Sequence, residues 1–270
     1  MQVHTLDRFI EQKSLIHQLD PRVKVVITLL FIVSNVLLPD GAWLAFLAGW
    51  GLILWINLLA KLPLTYAFKR SFIALPFALV AITVVFTLPG ETVFSFPLGP
   101  WHLTASDTGL IRFGSIVVRS WLAVQMAILL TATTQFPDLM HALYHLRVPR
   151  LLVAVISFMY RYLFVLVEEA GRLLHAREAR SARLLPGHGL SLGKEGGSIA
   201  WRAKVAGNMV GQLFLRSYER SDRVYNAMLS RGYSGHFLTL NRHQITPKDW
   251  LYGSVAVLII VGIQLVGQLR

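Results

Sequence analysis

The chain contains no cysteine, which excludes a disulfide framework and a thiolate metal site and leaves the redox compartment unreadable. Charge is almost as scarce: 15% of the 270 residues are Asp, Glu, Lys or Arg while 54% are hydrophobic, where a soluble domain carries roughly 25% charged residues. That balance belongs to a membrane protein. The opening residues "MQVHTLDRFIEQKSLIHQLDPRVK" lack an apolar core followed by a small-residue cleavage site, so no cleaved signal peptide is expected and insertion falls to internal segments. The bodies of the long apolar stretches contain no His, Asp or Glu. A channel or pump that handled a cation by itself would place such groups at membrane depth, so this chain is not expected to bind the cargo of any transport it serves.

What is present is a set of five apolar stretches, 22–38, 42–60, 71–89, 113–134 and 250–269, close to the ~20 residues a bilayer crossing requires. The first two are separated by "LPDG", whose Pro39, Asp40 and Gly41 predict a tight helical hairpin. Pro76 predicts a kink in the third. A further segment, 151–167, is ambiguous: it is 17 residues long and carries Arg161. Basic residues decide the topology, because cytoplasmic flanks collect them. Arg8, Lys13, Arg22 and Lys24 precede or open the first stretch, Lys61, Lys69 and Arg70 follow the second, and the 39–41 turn and the 90–111 loop have none. If 151–167 also crossed, the most basic part of the chain would be exported, so it is expected inside or at the interface. The predicted fold is an all-α, polytopic integral membrane protein with about five transmembrane helices plus cytoplasmic helices. Residues 1–134 hold the cytoplasmic start and four spans, 135–249 a cytoplasmic block, and 250–270 the last span.

The block reads as three helices, from Phe136 to Leu146, from about Leu151 to Leu185, and from about Ser198 to Arg231, with the loop "LPGHGLSLGKEGG" between the last two. Glu168 and Arg172 are spaced for an i, i+4 pair. The net charge is +12, and residues 168–248 hold 13 of the 26 basic groups. Such a region suits anionic lipid or an acidic protein surface, and nothing resembles a nucleic-acid-binding module. The glycine-rich loop fails as a P-loop: His188 stands where the first glycine belongs and Glu195 follows Lys194 where Ser or Thr must meet magnesium. His141 and His145 have ligand spacing on a helix, but no carboxylate completes a site, so they read as an interfacial or solvated pair and no metal is assigned. No paired carboxylates or aspartate-rich motif marks an active site, so an enzyme is not expected. Arg119, a third of the way into the fourth span, either snorkels or pairs with a partner subunit.

The most distinctive stretch is "HAREARSARLL", residues 175–185, in which arginines alternate with small residues. Arginine offers a planar fork for carboxylates, and flanking alanines let a helix lie deep in a groove of another protein. "NAMLSRGYSG" repeats the pattern at the end of the third cytoplasmic helix, where Gly232 suits a left-handed C-cap. The competing reading makes these arginines lipid-facing surface charges.

These two stretches resemble the paired Ala-Arg-Gly motifs of the transmembrane T component of energy-coupling factor transporters, and the whole chain resembles its cobalt-transport branch, CbiQ. "SLIHQLDPRVK" is similar to that family's N-terminal pattern, with Asp20 placed to cap the first span and Pro21 in its first turn. In the first motif Ala179-Arg180-Ser181 carries serine for glycine; in the second Ser230-Arg231-Gly232 carries serine for alanine. The resemblance implies that both motifs dock on cytoplasmic ABC-type ATPase subunits while a separate membrane substrate-binding subunit holds the cargo. It implies a multi-pass protein of the cell's inner or plasma membrane, with a cytoplasmic N-terminus, that binds no cofactor itself because its ATPase partners use the ATP. Cobalt is the first expectation for cargo and nickel the alternative. A stand-alone permease or channel is the competing class.

Overall fold

Asp20 and Pro21 open the membrane part as the sequence suggests. In the computed structural model, which describes residues 9–10, 12, 14–74, 76, 80–89, 91–98, 101–181, 183–184, 190–191, 198–233 and 246–269, the Asp20 carboxylate accepts the Arg22 amide at 2.8 Å and caps a helix whose first residue is Pro21. The described residues fall into two compact units, one drawn from 8–146 and 241–270, the other from 147–240.

The first unit begins with a single helical turn, α1 (Leu15–Gln18), followed by α2 (Pro21–Leu37) and α3 (Trp43–Leu59). Gly41 at φ 79° makes the turn between α2 and α3, a conformation that costs glycine little. α4 (Leu64–Ser71) runs into a 3-10 turn, Phe72–Ala74, and α5 (Thr83–Thr87) follows. The single kinked helix expected over 71–89 is therefore replaced, among the described residues, by short pieces. Pro76 lacks an amide hydrogen and its ring crowds the carbonyl four residues earlier, at Phe72, where the α-helix gives way to the tighter turn. The 90–111 loop is not irregular throughout: β1 (Thr92–Leu98) pairs antiparallel with β2 (Trp101–Ser106). α6 (Asp107–Thr133), α7 (Phe136–His145) and α10 (Pro247–Gln268) complete the unit.

Polarity in this bundle is inverted relative to a soluble one. Asn35, Asn57, Ser115 and Gln125 are buried, while Leu44, Leu47, Leu58 and Leu258 are exposed on the outside. An apolar exterior suits lipid, and part of the interior polarity is bonded between elements: Asn35 donates to the Arg119 carbonyl at 2.9 Å, Ser34 to Gln264 at 2.9 Å, and the Gly41 amide to Ser115 Oγ at 2.9 Å. Each such bond contributes about 0.6 kcal/mol in a membrane. Phe31, Phe46, Ile53, Leu122, Met126 and Ile260 fill the space between α2, α3, α6 and α10. At Gly267 a Cβ would stand 2.4 Å from Leu38 Cδ2, so glycine there sets the close approach of α10 to the end of α2.

By length and composition, Asp107–Thr133, Arg150–Arg180 and Pro247–Gln268 are long and apolar enough to cross a membrane, and Trp43–Leu59 is a shorter apolar helix. The argument from shortness against a crossing by 151–167 does not hold, since that segment belongs to one helix of 32 residues.

At one end of the bundle the chain knots its elements together. Asp249 accepts the Asp20 amide at 3.1 Å and the Thr246 amide and hydroxyl at 2.7 Å each, joining α2 to α10. The buried Lys24 ammonium donates to the carbonyls of His17 at 3.2 Å and Thr133 at 3.1 Å, adding α1 and the end of α6. His17 is itself fixed: Nε2 donates to the Ile10 carbonyl at 3.0 Å, and Nδ1 lies 2.7 Å from the Ser14 hydroxyl. Burial, reinforced by the Lys24 charge and opposed by the bond to Ile10, holds the His17 pKa below its ordinary value of 6.5. A histidine whose pKa falls on folding contributes stability that is present above the unfolded value and is lost as pH drops through the folded one. Thermal melts in detergent should therefore show a lower midpoint at pH 5 than at pH 7, with the difference reduced in His17→Gln.

Candidate coupling surface

The second unit is built on two long helices, α8 (Arg150–Ser181) and α9 (Ile199–Ser230), 32 residues each. α8 has the length expected at its start but ends at Ser181 rather than Leu185, and Arg183–Leu184 then pair antiparallel with Leu190–Ser191. His188, Gly193 and Lys194 lie outside the described residues. α9 starts where the Ser198 hydroxyl accepts the Trp201 amide at 3.4 Å. Its other end is closed by backbone alone: Gly232, at φ 79°, donates to the Leu229 carbonyl at 2.9 Å and Tyr233 to Met228 at 3.0 Å. That pair of bonds is the Schellman arrangement, and it makes Arg231 the C-cap rather than the last helical residue.

Electrostatics ties the two helices near their middles. Glu169 Oε1 receives Arg216 Nη1 at 2.6 Å, and Glu169 Oε2 also meets Arg172 Nη2 at 3.3 Å. The expected Glu168–Arg172 pair forms as well, at 3.6 Å. Beside this junction runs a groove of about 660 Å³ walled by Val155, Met159, Tyr162 and Leu166 of α8 and Phe214, Tyr225 and Met228 of α9. The amino-terminal half of α8 thus faces the carboxy-terminal half of α9. Arg180 stands about 16 Å beyond the junction along α8 and Arg231 about 22 Å along α9, at a rise of ~1.5 Å per residue.

Ala179, Arg180, Ser230, Arg231 and Gly232 are all exposed, and Ser181 is the last residue of α8. The Ser230 hydroxyl turns back to the Asn226 carbonyl at 3.0 Å. Among the described residues neither Arg180 nor Arg231 forms an ion pair, whereas Arg172 and Arg216 on the same helices do. The structure does not bring the two motifs together; it sets them at opposite ends of a braced pair of helices. Each guanidinium sits at the negative end of a helix dipole, a favourable place for a cation.

Other residues marked in the sequence are placed differently from expectation. Arg119 is paired within its own chain: its Nη2 meets Asp40 Oδ1 at 2.9 Å and donates to the Leu38 carbonyl, binding α6 to the α2–α3 turn. Arg112 approaches the same carboxylate at 3.7 Å. His141 and His145, expected as an interfacial or solvated pair, both accept from Arg22. Sequence reasoning missed the Glu169–Arg216 brace, since nothing in the linear pattern links residues 47 apart. Among the described residues, no group of three or more His, Asp or Glu side chains could hold a metal.

The fold and this surface define an all-α polytopic membrane protein whose second compact unit carries two arginine-ended helices. The chain belongs to the CbiQ cobalt transport protein family, whose sequence profile matches residues 12–243. It is 28% identical to an energy-coupling factor transporter transmembrane protein, EcfT, of Thermanaerovibrio acidaminovorans over 98% of this chain and 95% of the relative. The EcfT of Brevibacillus brevis is 28% identical over 95% of both chains. An uncharacterized protein of Methanocaldococcus jannaschii is 28% identical over 94% of this chain and 83% of that one.

Proposed function

We propose that this protein is the transmembrane coupling subunit of an energy-coupling factor importer, itself non-catalytic. It converts ATP-driven closure of cytoplasmic ABC-type ATPase subunits into movement of a membrane substrate-binding subunit. The observation that carries this reading is the placement of Arg180 and Arg231, two exposed arginines among small residues at the far ends of helices braced by Glu169–Arg216. A guanidinium that forms no ion pair among the described residues is available to a partner's carboxylates. The brace lets displacement of either end move the other helix.

On this reading the basic residues of 168–248 lie in the cytoplasm, the N-terminus is cytoplasmic, and α8 lies along the membrane surface rather than crossing. Residues 135–249 then act as the coupling region between the spans of 1–134 and the last span, 250–270. The chain binds no cofactor, and ATP is used by its partners. Cobalt is the proposed cargo, supported by the family to which the chain belongs. A gentle detergent pull-down of the tagged chain from native membranes tests the assignment. Mass spectrometry should find one or two ATPase subunits and a small membrane protein. A pure chain that moves ions alone in liposomes would overturn it.

A further inference from the structure

His141 and His145 sit one turn apart on α7 with ring centroids 4.5 Å apart. Each places Nε2 3.1 Å from the same atom, Arg22 Nη2. Guanidinium nitrogen only donates, so its two hydrogens serve the two rings and both Nε2 atoms present lone pairs to one point. His145 is held in this tautomer from behind, because its Nδ1 donates to the His141 carbonyl at 3.0 Å. A backbone acceptor behind one ring nitrogen, with the other ring nitrogen aimed forward, is the support that metal-bound imidazoles receive. A cation already occupies the focus, and the Asp20 carboxylate, 3.9 Å from Arg22 Nε, gives that guanidinium another partner if it leaves.

We propose that His141 and His145 form a site for a divalent first-row transition metal that competes with Arg22 for the two Nε2 atoms. Neutral imidazole suits cobalt, nickel, copper and zinc ions. No third protein ligand completes the set among the described residues, so water fills the other positions. The site is therefore weak and exchangeable, as a sensor requires, rather than a store. Metal entry releases the contact by which Arg22 ties the start of α2 to α7. A rise in free metal is thereby converted into loosening of the bundle beside the Lys24 and Asp249 knot. That the site faces the cytoplasm, and so reads delivered metal, rests on the topology proposed above; the binding does not.

The test is calorimetric titration of the full-length, tag-free chain in detergent with cobalt chloride, alongside the visible absorption of bound Co(II). Arg22→Met removes the competitor and should tighten binding about tenfold, the factor expected if the guanidinium leaves the rings free about a tenth of the time. His141→Asn and His145→Asn should each abolish the specific isotherm, and thermal melts identify any variant that has not folded. Arg22→Gln supplies a second test of competition if Arg22→Met is unstable. Unchanged affinity in a folded Arg22 variant, or wild-type affinity in either folded histidine variant, overturns the proposal. Neither result bears on the coupling role, since no partner subunit is present in the assay.

Discussion

The double variant Arg180→Glu/Arg231→Glu should abolish ATP-driven uptake, to about a hundredfold below wild type or less, in cells or in proteoliposomes containing the whole complex. Both side chains are exposed and neither forms an ion pair among the described residues, so reversal leaves the fold intact and lowers the thermal midpoint only by the few degrees that anions at two helix C-termini cost. On the proposed docking, an arginine–carboxylate fork would become two like charges facing each other, which costs several kcal/mol at an interface. Each single reversal should leave part of the activity, because the motifs lie at opposite ends of the helix pair. ATP hydrolysis by the partners should persist while uptake stops. Wild-type uptake in the double variant would remove Arg180 and Arg231 from the mechanism.

The second large effect concerns stability. Asp40→Ala should destabilise the protein by about 2–3 kcal/mol, because it leaves the mostly buried Arg119 guanidinium without its carboxylate. Arg112 approaches the same carboxylate and loses its partner too. Replacing both ends, Asp40→Leu with Arg119→Met, should recover most of that loss, since an uncompensated charge costs more than an absent pair. Chemical denaturation of wild type, Asp40→Leu, Arg119→Met and the double variant provides the cycle, with Asp40→Ala as the reference for the lost carboxylate. A double variant as unstable as Asp40→Ala would mean that Arg119 acts through its bond to Leu38 and not through the ion pair.

These two sites differ in how far the sequence revealed them. The helices bearing Arg180 and Arg231 were legible because capping and periodicity are local: Ser198 starts α9 and Gly232 ends it, each within a few residues of where the pattern places it. The Arg119–Asp40 pair was not, although both residues stand out in an apolar chain. It depends on α6 packing against the α2–α3 turn, and residues 79 apart carry no common signal. Pro76 was read as a kink in one third span, and the described residues show the α-helix tightening into the 3-10 turn Phe72–Ala74 just before it, a change of geometry that hydropathy does not report. The β1–β2 hairpin was hidden by its setting, since Thr, Val, Phe and Trp suit a strand as well as they suit a membrane.

The absence of native cysteine makes the most direct test of the coupling role simple. Single cysteines placed at 180 and at 231, with one at the outward-facing Leu258 as a control, can carry a photoactivatable crosslinker in intact membranes. The account predicts that positions 180 and 231 each capture a cytoplasmic ATPase subunit and that position 258 captures none. Capture of no ATPase from either arginine position, in membranes where uptake remains active, would contradict it.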